Sequence, residues 1–121
     1  MWKIKKEVLE ASCNAAKNLH PREFFALLGV KRKKDLLEEL VIVPAVYGES
    51  YSLIKQYLLP FDQKVKGSIH SHPSHNARPS QGDLATFAKL GVIHFIACVP
   101  YDLNNVKAFN VKGKEISFEL V

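Results

Sequence analysis

The sequence predicts an α/β fold, a mixed β-sheet flanked by two main helices, and three observations carry that expectation. Residues 5–19 and 80–90 repeat apolar side chains at helical steps, short β-branched runs lie between and after them, and the resulting order is helix, strands, helix, strands. A chain of 121 residues with 47% hydrophobic content is sized for a single core, so one domain spanning 1–121 is expected.

The first helix rests on Val8, Leu9, Ser12, Ala15, Ala16 and Leu19, small or apolar residues at three- and four-residue steps with Lys and Glu between them. His20-Pro21 ends it, because the residue before a proline is pushed out of the helical region. Arg22 to Val30 follows as a strand buried on both faces. Lys31-Arg32-Lys33-Lys34 bounds it, four cations that repel one another and read as a solvated turn. Glu39 to Val46 is β-branched, with Pro44 placing it near a sheet edge or at a bulge. Tyr51 to Leu59 is a further strand between turns at 47–50 and 60–63. Lys64 to His72 is a strand and Pro73 to Pro79 a loop. Ser80 opens the second helix, whose apolar side is Leu84, Phe87, Ala88 and Leu90 and which Gly91 closes. The nearly continuous apolar run Val92 to Val99 is a central strand. Val106–Val111 and Glu115–Val121 form a terminal hairpin through Lys112-Gly113-Lys114.

The formal net charge is +5, but the lysines are dispersed, which describes a lysine-rich surface. Neither a basic stretch interleaved with aromatics nor a reading helix is present, so nucleic acid is not an expected partner. The first residues lack the apolar centre of a signal peptide and no apolar run is long enough to span a bilayer. A cytoplasmic protein without a membrane partner is expected; a homo-oligomer is compatible with the sequence. Cys13 and Cys98, far apart in a reducing compartment, read as buried small hydrophobes rather than a disulfide.

The chemistry gathers in Gly67-Ser68-Ile69-His70-Ser71-His72-Pro73 and Pro79-Ser80-Gln81-Gly82-Asp83. Histidines at i and i+2 of a strand point to one side, so His70 and His72 can reach one ion, and Asp83 at a helix start can supply a third ligand. Three protein ligands and an open fourth position describe a catalytic zinc, whereas structural zinc closes on four, often cysteines. Two histidines and a carboxylate also describe non-haem iron sites, so the ligand types leave zinc and iron both open. His75 is a rival third ligand, although Pro73 turns the chain away after His72. Ser80-x-x-Asp83 is equally a capping box, and that role is compatible with metal binding because a hydroxyl can accept one hydrogen bond and donate another. His20, near a helix end, and His94, at a strand start, read as structural.

A metal-activated water still needs a base to take its proton and pass it to a leaving amine, and a carboxylate suits that task. Glu23, after His20-Pro21 at the mouth of the first long strand, is the candidate. Taken alone it reads as a surface glutamate; it gains the role because the metal motif leaves the base position empty.

His70-Ser71-His72-Pro73, six further residues, then Ser80-Gln81-Gly82-Asp83 resembles the JAMM motif of the MPN-plus metalloproteases. His20-Pro21-Arg22-Glu23 resembles the upstream segment that carries their glutamate, and the short chain is similar to the archaeal single-domain members. The resemblance implies a cytidine-deaminase-like α/β fold, although the deaminases' Pro-Cys-x-x-Cys ligands are absent. It implies one zinc ion held by His70, His72 and Asp83, with Glu23 as general acid/base and Ser80 stabilising the tetrahedral intermediate. It also implies hydrolysis of isopeptide bonds to the C-terminal glycine of a ubiquitin-like modifier, so modifier proteins and their conjugates would be the partners. The edge at Gly48–Tyr57 is the expected place for a modifier's tail to add as a strand. Two other readings stand beside this one: an amidase or peptidase acting on sulfur-carrier precursor tails or small molecules, and a non-catalytic, metal-stabilised binding module.

Overall fold

The computed structural model describes residues 1–42 and 64–121. Among the described residues, eight strands form one mixed sheet in the order β7-β6-β5-β4-β2-β3-β1-β8. In chain order the elements are β1 (Trp2–Ile4), α1 (Lys6–Leu19), β2 (Phe25–Val30), β3 (Leu36–Ile42), β4 (Val65–His72), α2 (Gln81–Phe87), β5 (Ile93–Cys98), β6 (Val106–Phe109), β7 (Glu115–Ile116) and β8 (Phe118–Leu120). This is the mixed sheet with two helices that the sequence predicts. The strand predicted at Tyr51–Leu59, the turns beside it, the docking edge at Gly48–Tyr57 and the Pro44 end of the third strand lie outside the described residues.

β7 and β8 sit at opposite ends of the strand order, yet only Ser117 separates them in the chain. The sheet must therefore curl until its two edges meet along the C-terminal segment. The predicted hairpin is accordingly shorter than 106–121: β6 and β7 pair antiparallel around Gly113, whose φ of 82° suits a residue without Cβ, and β8 then leaves to pair parallel with β1. β1 was not expected from the sequence, because three residues with a lysine among them carry no periodicity and their partners Phe118–Leu120 lie at the far end of the chain.

α1 packs one face on the curled sheet and leaves the other to solvent. Val8, Leu9, Cys13 and Ala16 of α1 pack with Phe24, Ala26 and Leu28 around β2, with Ile69 of β4, and with Ile93, Phe95 and Ala97 of β5. The alternate residues of β5 face the other way, where Ile96 and Cys98 pack with Phe87 and Leu84 of α2. Two-residue alternation thus divides the sheet into an α1 face and an α2 face. Both cysteines are buried and free, and burial pushes the Cys13 thiol up to about 11.

β4 is the strand that carries the motif, and it lies inside the sheet between antiparallel β2 and parallel β5. A Cβ on Gly67 would run into the carbonyl of Ile93, so glycine permits the close approach of β5 there. α2 is shorter than the predicted 80–90 helix; it ends at Phe87, and Gly91, with φ 128°, turns the chain back beside Lys66 into β5. Among the described residues no helix is long and apolar enough to cross a membrane.

Candidate metal centre

His70 and His72 occupy alternate positions near the C-terminal end of β4, on the face that α2 covers. Ser80 caps α2: its Oγ accepts the Asp83 N–H at 3.0 Å, and Asp83 Oδ2 accepts the Ser80 N–H at 2.9 Å. This reciprocal cap fixes the rotamer of Asp83 and turns its carboxylate toward β4. Asp83 Oδ1 lies 3.2 Å from His70 Nε2, Asp83 Oδ2 lies 3.0 Å from His72 Nε2, and the two Nε2 atoms are 3.1 Å apart.

These three side chains fit a cation. A tetrahedral site with arms of about 2.0–2.1 Å has edges of about 3.3 Å, close to the distances observed. The proton positions agree. His72 Nδ1 donates to the carbonyl of Asn76 at 2.9 Å, so the neutral ring presents a bare lone pair at Nε2, aimed at a carboxylate oxygen and a second imidazole. Three converging lone pairs repel unless a proton or a metal ion lies among them. Burial opposes ionisation of Asp83, but the hydrogen bonds of His70 and His72 outweigh it and hold the carboxyl well below the usual carboxylate range. The hydrogen bond with Asp83 raises the His72 imidazole above its ordinary value, against the effect of burial.

His75 takes no part in this group. It is exposed, and its Nδ1 donates to the carbonyl of Val99 at 3.2 Å, which ties the loop after His72 to the end of β5. His94 is structural, as expected, and more deeply so than a residue at a strand start suggests: it has no exposed surface and stacks on Phe87 with ring centroids 4.2 Å apart. Its Nε2 donates to Gly91 O at 3.3 Å, so Nδ1 accepts the hydroxyl of Ser68 at 2.8 Å. Burial depresses its pKa to about 4.

Glu23 lies in the connection between α1 and β2, exposed, and its charge reaches both His72 and Tyr101. Ser71 and Tyr101 were not singled out in the sequence. Ser71, between the two histidines in sequence, is fully buried, and its Oγ accepts the N–H of Phe24 at 2.8 Å. The Tyr101 hydroxyl lies 2.7 Å from His20 Nδ1 and 3.4 Å from the carbonyl of His72. Nothing local to either residue marks it, since both partners are remote in the chain.

The model of the prokaryotic homologs of the JAB domain matches residues 5–112. A protein of Haloferax volcanii named "Probable metalloprotease" is 33% identical over 120 residues, covering 92% of this chain and 74% of its own. Among solved structures, a JAB1/MPN domain protein from Archaeoglobus fulgidus is 39% identical with a TM-score of 0.78, covering 100% of this chain and 97% of that one. A structure described as "JAMM: A Metalloprotease-like Zinc Site in the Proteasome and Signalosome" has the same identity and TM-score and is covered to 98%. A protein from Desulfitobacterium hafniense at 23% identity and TM-score 0.76 shares the fold. With the family model reaching from the start of α1 to beyond β6, the chain belongs to the prokaryotic homologues of the JAB domain, the JAMM fold family.

Proposed function

We propose that this chain is a zinc metalloprotease that hydrolyses the isopeptide bond between the C-terminal glycine of a ubiquitin-like modifier and a lysine side chain. The observation that carries the proposal is the convergence of His70, His72 and Asp83, whose ligand atoms lie 3.0–3.2 Å apart, beside a segment bearing a carboxylate. The name of the Haloferax volcanii relative and the zinc site of the 39%-identical structure support zinc and proteolysis.

In this reading His70, His72 and Asp83 hold the ion, and bound zinc would lower the pKa of a water molecule and polarise the scissile carbonyl. The chain's own groups do the rest. Glu23 takes a proton from the attacking water and returns it to the departing lysine amine, a task an exposed carboxylate at neutral pH can begin. Ser80 Oγ already accepts the Asp83 N–H, so its hydroxyl proton is the part directed at the developing oxyanion. Asn76 orients His72, and Phe87 walls His70 with ring centroids 6.2 Å apart.

The test is cleavage of a ubiquitin-like protein joined through its C-terminal glycine to a lysine side chain, by zinc-loaded wild type and Glu23→Gln in parallel. Wild type should cleave, and the variant should lose at least about 100-fold in kcat while keeping its zinc. Undiminished turnover by Glu23→Gln would remove Glu23 from the mechanism, and no turnover by zinc-loaded wild type would remove the isopeptidase reading.

A further inference from the structure

Glu23 stands outside regular structure, between the last residue of α1 and the first of β2. A general base must be held to a fraction of an ångström, and a free connection does not do that. The stretch from His20 to Phe24 is nevertheless fastened at both ends, and both fastenings lead to the strand that carries the histidines.

The downstream fastening is a rung of the sheet made by a side chain. β2 and β4 pair antiparallel with Phe25 opposite His70, which sets Phe24 opposite Ser71. Ser71 N–H donates to the Phe24 carbonyl at 2.9 Å. The return bond does not go to the Ser71 carbonyl; Phe24 N–H donates at 2.8 Å to Ser71 Oγ. Phe24 and Ser71 are both buried, so this N–H has no access to water if the hydroxyl is removed. The residue next to Glu23 is thus bound through the hydroxyl of Ser71, whose backbone joins His70 to His72 while its side chain points to the opposite face of β4.

The upstream fastening is Tyr101. Its backbone has φ 66°, a left-handed conformation that a bulky residue rarely adopts and that persists only where surrounding contacts fix it. The ring is buried and meets His20 edge-on with centroids 5.6 Å apart. His20 Nδ1–H donates to the phenol oxygen at 2.7 Å while the hydroxyl donates to the His72 carbonyl at 3.4 Å. The residue three before Glu23 is tied through this phenol to the backbone of a metal-ligand candidate.

We infer that Ser71 and Tyr101 are positioning residues for Glu23, suspending its segment between two hydrogen-bonded anchors on the end of β4 so that base and metal ligands move as one body. The inference rests on the reading of Glu23 as the general base. Neither residue touches substrate in this scheme; each acts on the placement of Glu23.

The experiment compares zinc-loaded wild type, Glu23→Gln, Ser71→Ala, Ser71→Thr and Tyr101→Phe on the same isopeptide substrate. Bound zinc and the hydrogen-exchange protection of the Phe24 amide are measured on the same proteins. Ser71→Ala and Tyr101→Phe should lose about 10- to 100-fold in kcat with KM within about 2-fold, the size expected for a misplaced catalytic group. Zinc content should stay at the wild-type value. Phe24 protection should fall in Ser71→Ala and return, together with kcat, in Ser71→Thr, which a general loss of stability would not produce. Wild-type kcat in Ser71→Ala and Tyr101→Phe alongside an inactive Glu23→Gln would overturn the positioning role and leave the base assignment standing. Activity lost in proportion to zinc would also overturn it, by placing the effect on the metal ligands. A wild type that cleaves nothing, or an active Glu23→Gln, would take away the reading on which the inference rests.

Discussion

Asp83 Oδ2 lies 3.0 Å from Nε2 of His72 while accepting the backbone N–H of Ser80 at 2.9 Å, so one oxygen serves the metal group and the helix cap together. The two duties separate on substitution. Asp83→Asn keeps an oxygen for the Ser80 N–H but gives up the negative charge that His70 and His72 favour, so the metal-free variant should keep the cap and lose only the contribution of that charge at neutral pH. Its zinc affinity should fall by more than about 100-fold, since even groups one bond further from a metal typically contribute 10–100-fold. Asp83→Ala should lose the cap as well, with a further cost of about 1 kcal/mol. Competition with a chromophoric chelator and thermal unfolding without metal give the two quantities. Wild-type zinc affinity in Asp83→Asn would exclude Asp83 as a ligand.

The same contact sets the pH at which metal is lost. A ligand imidazole must be neutral, and Asp83 raises His72 above its ordinary value in the metal-free protein. Protons therefore begin to compete with zinc above the pH at which an unperturbed histidine would. As pH falls through that range, apparent affinity should drop by about tenfold per unit for each proton displaced. Chelator competition at pH 8, 7 and 6 measures the slope, and a flat profile would contradict a site containing His72.

The convergence of His70, His72 and Asp83 was legible in the sequence because its parts are local. His70 and His72 share a strand face by alternation, and Asp83 follows Ser80 by the spacing of a capping box, so each needs only its neighbours to be read. β1 was not legible, and the expected strand at Glu115–Val121 was read without the partner that its last part takes, since β1 and β8 pair across almost the whole chain. Ser71 and Tyr101 were missed for the same reason: a serine in a strand and a tyrosine after a proline acquire meaning only when Phe24 and His20 arrive from another part of the chain. The third strand began three residues earlier than its β-branched run, at Leu36, because Leu36 and Leu37 are buried by the pairing with β1 rather than by any local pattern.

His75 offers the opposite contrast. It belongs to the same stretch of sequence as His70 and His72, but its Nδ1 is engaged by the carbonyl of Val99 and the residue is exposed. His75→Ala should leave zinc stoichiometry and affinity within about 2-fold of wild type and cost less than about 1 kcal/mol of stability, the loss of one solvent-exposed hydrogen bond. Zinc lost from His75→Ala would restore the three-histidine site.

His94 predicts an acid weakness in the fold itself. Its folded-state pKa of about 4 lies below the unfolded value near 6.5, because burial against Phe87 disfavours the imidazolium. Above pH 7 the ring is neutral in both states and contributes no pH dependence. As pH falls through 6.5 the unfolded chain binds a proton that the folded chain refuses, so stability declines until the folded ring also protonates near 4. The difference between the two values corresponds to about 3 kcal/mol at the acid end. Other groups titrate in this range, so the contribution of His94 is read from a comparison with His94→Phe. That variant leaves the Ser68 hydroxyl without its acceptor and should be less stable than wild type at pH 8 by about 1–3 kcal/mol. Between pH 8 and pH 4 it should lose less stability than wild type, so that the two urea-unfolding curves converge on acidification. Parallel pH dependences in the two proteins would show that His94 takes up its proton equally well in both states, which a ring with no exposed surface stacked on Phe87 should not do.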